Sequence, residues 1–134
     1  MKLRKITTLV IALALVSVVA ACGTTEISPD SPSGVSVRFV EAARSKDVKT
    51  FKSLLSKKSL QTMDKDSKEA GMATDAMIAT MLEQDLFPKG AGSVETRNEK
   101  ITGERATVEI KGESDKWSEN ELVKEDGGWK VTLE

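Results

Sequence analysis

Cys22 carries the single thiol of this 134-residue chain, which contains neither His nor Tyr. The chain therefore lacks the most common general base and the most common nucleophile–base pairs of enzymes. A transition-metal site without imidazole or free thiolate is also not expected, and no cofactor is predicted. The most specific chemistry that the sequence indicates is modification of the Cys22 sulfur, the one soft nucleophile available.

The segment before Cys22 has the pattern of an export signal. Basic residues at positions 2, 4 and 5 precede an apolar run over residues 9–21, in which Ser17 is the only polar side chain. A membrane-spanning helix needs about 20 apolar residues, and this run is shorter. The pattern predicts a secretory signal peptide over residues 1–21 that is cleaved.

The cleavage site, Val19-Ala20-Ala21-Cys22, resembles the lipobox of bacterial lipoproteins, in which a branched aliphatic residue and two small residues precede a cysteine. The resemblance implies cleavage between Ala21 and Cys22 and transfer of a diacylglycerol group to sulfur. One acyl chain such as palmitate anchors a protein only marginally, whereas several make attachment essentially permanent. The alternatives are an ordinary secretory signal or a buried structural cysteine.

The implied partner is a membrane in the cell envelope, reached through the N-terminal lipid. Gly23 stands where Asp would usually mark retention in the inner membrane of lipoproteins. The resemblance therefore implies the periplasmic face of the outer membrane in an organism with two membranes. In an organism with one membrane it implies the outer leaflet.

The mature chain divides into a linker and one domain. Residues 22–33 are rich in Ser, Thr, Pro and Gly, which predicts a flexible linker after the lipidated cysteine. Residues 34–134 have the length of a single small domain. Removal of residues 1–21 takes three of the 20 basic residues and none of the 21 acidic ones, leaving a net charge of about −4. A nucleic-acid partner is therefore not expected.

Helical spacing dominates the first half of the domain. It predicts a helix over residues 35–46, a short helix capped by Asp47, and a less regular helix over residues 56–70. A further helix is predicted over residues 74–86, with Thr74 as its N-cap. These helices come before any strand pattern.

The apolar period changes to two in the second half. Residues 106–111 and 129–134 alternate clearly, and residues 94–101 and 117–124 are the expected partner strands. Turn residues separate the four segments, which predicts an antiparallel meander. The fold class is therefore α+β, with N-terminal helices packed on a curved four-stranded antiparallel sheet.

Three sequence segments resemble those of the lipoprotein branch of the nuclear-transport-factor-2-like, cystatin-like superfamily. They are residues 39–47, residues 53–56, and the ending over residues 122–131, in which a Gly turn precedes Trp-Lys-Val. The resemblance implies a cone in which the sheet wraps a helix and can leave a pocket. Many members have no assigned activity, and fold alone supplies none.

The residues that could line such a pocket are Met63, Met77, Met81 and Trp129. Flexible thioethers adapt to apolar ligands, although they also fill gaps in a core. Trp117 is expected to be a packing residue, with some exposure near a strand end.

These observations predict a membrane-anchored envelope lipoprotein whose domain binds a protein partner or acts as a scaffold and is not an enzyme. The first alternative is a binder of a small apolar ligand or lipid in the pocket. The second is an enzyme of the same fold that uses a buried carboxylate, for which Asp75, Glu83 or Asp85 would be the candidates.

Overall fold

A computed structural model describes residues 26–84, 87, 92–111 and 115–133. Four helices come first: α1 (Pro32–Arg44), α2 (Val48–Ser53), α3 (Lys57–Glu69) and α4 (Thr74–Glu83). Four strands follow: β1 (Glu95–Thr102), β2 (Arg105–Lys111), β3 (Trp117–Glu125) and β4 (Gly128–Thr132). The strands form one antiparallel sheet in the order β1-β2-β3-β4. The predicted α+β class is confirmed.

Helix α1 begins earlier than the apolar pattern indicated. Ser31 is the N-cap, and its hydroxyl accepts a hydrogen bond from the Gly34 N–H at 3.1 Å. Pro32 occupies the first turn, where its missing N–H costs nothing and its fixed φ suits a helix. Pro32 and Ser33, which the composition placed in the linker, are therefore the first residues of α1.

Helix α2 begins where the sequence predicts. The Asp47 carboxylate accepts a hydrogen bond from the Thr50 N–H at 3.0 Å. Hydrogen bonding to Thr50 holds the pKa of Asp47 below its ordinary value. The predicted cap is confirmed.

The predicted cap of α4 is wrong. Ala73 is the N-cap residue and supplies no side-chain hydrogen bond, while Thr74 is already helical. The Thr74 hydroxyl donates instead to Asp64 Oδ1 on α3 at 3.1 Å. The Thr74 hydroxyl therefore forms a tertiary hydrogen bond to α3 and does not cap its own helix. Of the predicted helix over residues 74–86, the part from Thr74 to Glu83 is present, and Leu86 lies outside the described residues.

The core lies between α1 and the inner face of the sheet. This face presents the apolar residues that alternate along the strands: Ala106, Val108, Ile110, Leu122, Trp129 and Val131. Phe39 of α1 stacks on Phe51 of α2 with ring centroids 4.5 Å apart, and Phe87 meets both rings edge-on. Aromatic and branched side chains of the described residues therefore pack between the helices and the sheet.

The two edges of the sheet differ. Leu55 forms a parallel bridge to Val131, and hydrogen bonds of 2.8 Å join Ser56 N–H to the Val131 carbonyl and Val131 N–H to the Leu54 carbonyl. The β4 edge is thus covered. Strand β1 forms the other edge and carries a bulge, at which Asn98 has a φ of 52°.

In an antiparallel meander, alternate turns lie at the same end of the sheet. The β1–β2 turn and the β3–β4 turn therefore lie together, and the Lys124 N–H donates to the Glu104 carbonyl at 2.8 Å between them. We call this end, with the start of α1 and residues 27–31, the linker end. None of the described helices has the length and apolarity to cross a bilayer.

Candidate functional site

The predicted modification site, Val19-Ala20-Ala21-Cys22, lies outside the described residues. What the structure describes is the chain that leads from it into the domain, beginning at Glu26. The position of this chain decides where an N-terminal attachment would hold the domain. The linker end is therefore the candidate site.

The linker turns sharply just before α1. Both the Ser31 N–H and the Ser31 hydroxyl donate to the Ser28 carbonyl, at 3.0 and 2.7 Å. A Cβ atom at Gly34 would lie 2.1 Å from this carbonyl oxygen and 2.7 Å from the Cα of Pro29. Glycine is required at position 34 because the turn packs directly against the helix backbone.

The sheet holds the same turn from the other side. Glu99 of β1 accepts hydrogen bonds from the Ser33 N–H at 2.9 Å and from the Ser33 hydroxyl at 2.5 Å. The Glu99 carboxylate thus accepts from an N–H of the first helical turn that has no partner within the helix. Its negative charge also interacts favourably with the positive end of the helix dipole. The bulge at Asn98 directs Glu99 toward the helix. The linker therefore enters the domain at a fixed point.

A groove of about 340 Å³ lies beside this entry point. Asp30 of the turn, Arg38 of α1 and Lys130 of β4 give it charged walls, and Trp129 gives it an aromatic one. The Lys130 ammonium donates to the Ser53 carbonyl at 2.6 Å, which fixes one side of the groove. Trp129, predicted as a pocket residue, thus belongs to the core and also borders this groove.

The predicted methionines lie elsewhere. Met63 and Met81 are half-buried and pack against the edge of the core, and Met77 is also half-buried. Of four surface grooves of about 140 to 360 Å³ formed by described residues, none is lined by these methionines. Among these four grooves, the one bordered by Trp129 does not include the methionines.

The two candidate carboxylates that the structure describes do not point into the core. Asp75 is exposed and pairs with Lys52 at 2.7 Å, Glu83 is exposed, and Asp85 lies outside the described residues. Among the residues that the structure describes, no Asp or Glu is buried, and no three His, Cys, Asp or Glu side chains gather as a metal would require. The described carboxylates therefore lack the apolar surroundings of a buried acid.

A second cluster lies on the outer face of the sheet. The Arg97 guanidinium lies 3.9 Å from the centre of the Trp117 ring and also forms an ion pair of 2.8 Å with Glu109. Hydrogen bonds from Arg97 and then Asn98 hold the pKa of Glu109 below its ordinary value. Trp117 was expected to keep some exposure, and it is half-buried because Arg97 covers it.

Sequence reasoning missed Gly34, Glu99 and Arg97. The pair Ser31-Pro32 is typical of a helix start. A prediction that began α1 at Pro32 would have placed Gly34 in the first turn. Glu99 had no such signal, because its direction depends on a bulge. The partner of Trp117 depends on strand register, which places Arg97 opposite Glu109 and Lys111 opposite Trp117.

A scan against models of known protein families finds no match, and a search of curated proteins finds none either. Among solved structures, the chain is similar to one from Campylobacter jejuni that is described as a candidate NTF2-like transpeptidase. The sequences are 17% identical and the TM-score is 0.48, with 78% of this chain and 99% of that chain covered.

Proposed function

We propose that this protein is a lipid-anchored component of the bacterial cell envelope, modified at Cys22, whose domain binds a protein partner or acts as a scaffold without catalysis. The observation that carries the proposal is the full match of Val19-Ala20-Ala21-Cys22 to a lipobox, placed directly after a basic and an apolar segment. The attached domain is the α+β unit that begins with α1.

The interior of the domain supports a role other than chemistry. Stacked Phe39 and Phe51 fill the centre, and the described carboxylates lie at the surface. A surface with charged grooves and an exposed sheet face suits recognition of another macromolecule more than turnover of a substrate. The two alternatives, an apolar ligand in the core and a carboxylate enzyme, have less support from the described residues.

The anchor is tested by replacing its sulfur. Cys22→Ser removes the nucleophile, so the variant should keep residues 1–21 and incorporate no labelled fatty acid. Thr24→Ser is the matched control, because it changes a nearby side chain and leaves Cys22 intact. Mass spectrometry should find acyl chains on Cys22 in the wild type and the control. Normal processing of Cys22→Ser would refute the anchor.

The scaffold role requires a second measurement. After gentle crosslinking in intact membranes, a binding protein should be recovered with the wild-type chain at near-stoichiometric yield. Recovery of none in several mild detergents would refute the scaffold role and leave the anchor unaffected. The two halves of the proposal can thus fail separately.

A further inference from the structure

We infer that the linker end of the domain, with Ile27 and Ile101 at its surface, faces and contacts the bilayer. This inference rests on the proposed lipid anchor at Cys22. It adds an orientation, which the anchor alone does not supply. The occupant of this surface is the headgroup layer of the same membrane that holds the lipid.

The first argument is the reach of the chain. Five residues lie between Cys22 and Ser28, where the linker is fastened to the domain, so the two are six residue steps apart. Six extended residues span at most about 20 Å. Helix α1 has 13 residues and is about 20 Å long, and it runs from the linker end to the opposite end. The opposite end could approach the bilayer only if the linker ran back along the whole domain.

The second argument is the rigidity of the attachment. Ser31 fixes the turn to Ser28, Gly34 lets it pack on α1, and Glu99 ties Ser33 to β1. Asp30 also borders the groove beside the β3–β4 turn. The linker therefore leaves the domain between the two hairpin turns, so that both turns lie on the membrane side.

The third argument is the apolar surface at this end. Ile101 points to the inner side of the sheet, opposite Ala106, but α1 begins beside Glu99 and does not cover it. Ile101 is 54% exposed and Ile27 is 45% exposed. They are two of the three large apolar side chains that are exposed in the described part of the chain.

A control position lies at the opposite end of the sheet, where Lys116 is exposed and directly precedes β3. In an antiparallel meander the β2–β3 connection lies at the end opposite the β1–β2 and β3–β4 turns. Lys116 is therefore separated from the linker end by the length of β3, about 25 Å. Positions 101 and 116 are both exposed, and they have opposite expected surroundings.

The experiment uses the full lipidated chain with Ile101→Cys or Lys116→Cys, labelled at the new thiol with a small fluorophore. Cys22 does not react because its sulfur is already bonded to lipid. The proteins are reconstituted in vesicles of phosphatidylethanolamine and phosphatidylglycerol. We expect aqueous iodide to quench the label at 101 several-fold less than the label at 116. Lipids brominated near the headgroup should quench the label at 101 alone.

The other outcomes separate the causes. Equal iodide quenching at both positions, in protein that floats with the vesicles, would overturn the orientation and leave the anchor standing. Protection at 101 without quenching by brominated lipid would mean that a second copy covers this end, and it would also overturn the inference. Protein that does not float and carries no acyl chain would refute the proposed anchor, and the orientation with it.

Discussion

Helices α1 and α3 have the same length, 13 residues, but they are held by opposite kinds of contact. Helix α1 buries an apolar stripe that includes Phe39 and Val40 against the sheet. The fully buried side chains of α3 are two serines, Ser59 and Ser67. Helix α1 is held by a fully buried apolar stripe, whereas α3 combines the partly buried Leu60 and Met63 with hydrogen bonds of its buried serines.

The difference shows which part of the chain stabilises the domain. Burial of a large apolar side chain contributes about 1.5–3 kcal/mol, whereas a typical hydrogen bond contributes about 0.5–1.5 kcal/mol. The unit of α1 and the sheet should therefore unfold last. The pair of α3 and α4 should open locally at lower cost.

The largest expected effect is loss of the aromatic contact under α1. Phe39→Ala removes a ring that stacks on Phe51, and it should lower the free energy of unfolding by about 3–5 kcal/mol. Chemical denaturation followed by Trp fluorescence measures the loss. Phe39→Leu, which keeps most of the volume, is the control and should lose much less. A cost for Phe39→Ala below that of any serine variant in α3 would contradict the comparison.

A smaller effect is expected from the serine that joins α3 to the sheet. Ser59 Oγ accepts from the Leu133 N–H at 2.8 Å and from the Ser56 hydroxyl at 2.9 Å. Ser59→Ala removes the acceptor of the Leu133 N–H and leaves the Ser56 hydroxyl with the longer contact to Thr132 Oγ1 at 3.5 Å, so it should cost about 1–3 kcal/mol. Gln61→Ala, on the exposed side of α3, should be nearly neutral. Equal denaturation midpoints for Ser59→Ala and Gln61→Ala would show that the hydrogen bonds of Ser59 add no stability.

The smallest effect concerns pH. Lys68, and then Thr74, hold the pKa of Asp64 below its ordinary value of 3.8 by hydrogen bonding. A carboxylate with a lowered pKa in the folded state stabilises that state above its unfolded pKa, and the contribution is lost as the pH falls through the folded pKa. Asp64→Asn should therefore be less stable than wild type at pH 7, and the gap should close below about pH 3.8.

Thermal unfolding of both proteins between pH 7 and pH 3 measures this gap. Amide exchange should locate the change in α4, because Asp64 also accepts the Thr74 hydroxyl. A gap that stays constant with pH would show that the Asp64 contacts do not stabilise the folded state.

The α+β class and the order of elements could be predicted because apolar periodicity is a local property of each segment. Asp47 could be identified as a cap for the same reason. Thr74 could not be placed correctly, since its hydroxyl binds α3 and not its own helix. Glu99 and Arg97 depend on a bulge and on strand register, which arise only when β1 pairs with β2. Cys22 stays a prediction, because it lies outside the described residues.

The bridge between Leu55 and Val131 has a consequence for molecules that lie side by side. An uncovered strand edge is a template on which neighbouring copies can add strands and aggregate. Here the last strand already has a partner from its own chain, and the first strand is interrupted by the bulge at Asn98 and bears charged side chains. When many copies lie close together on one surface, neither edge of the sheet offers a long, straight strand to which a neighbouring copy could add its own.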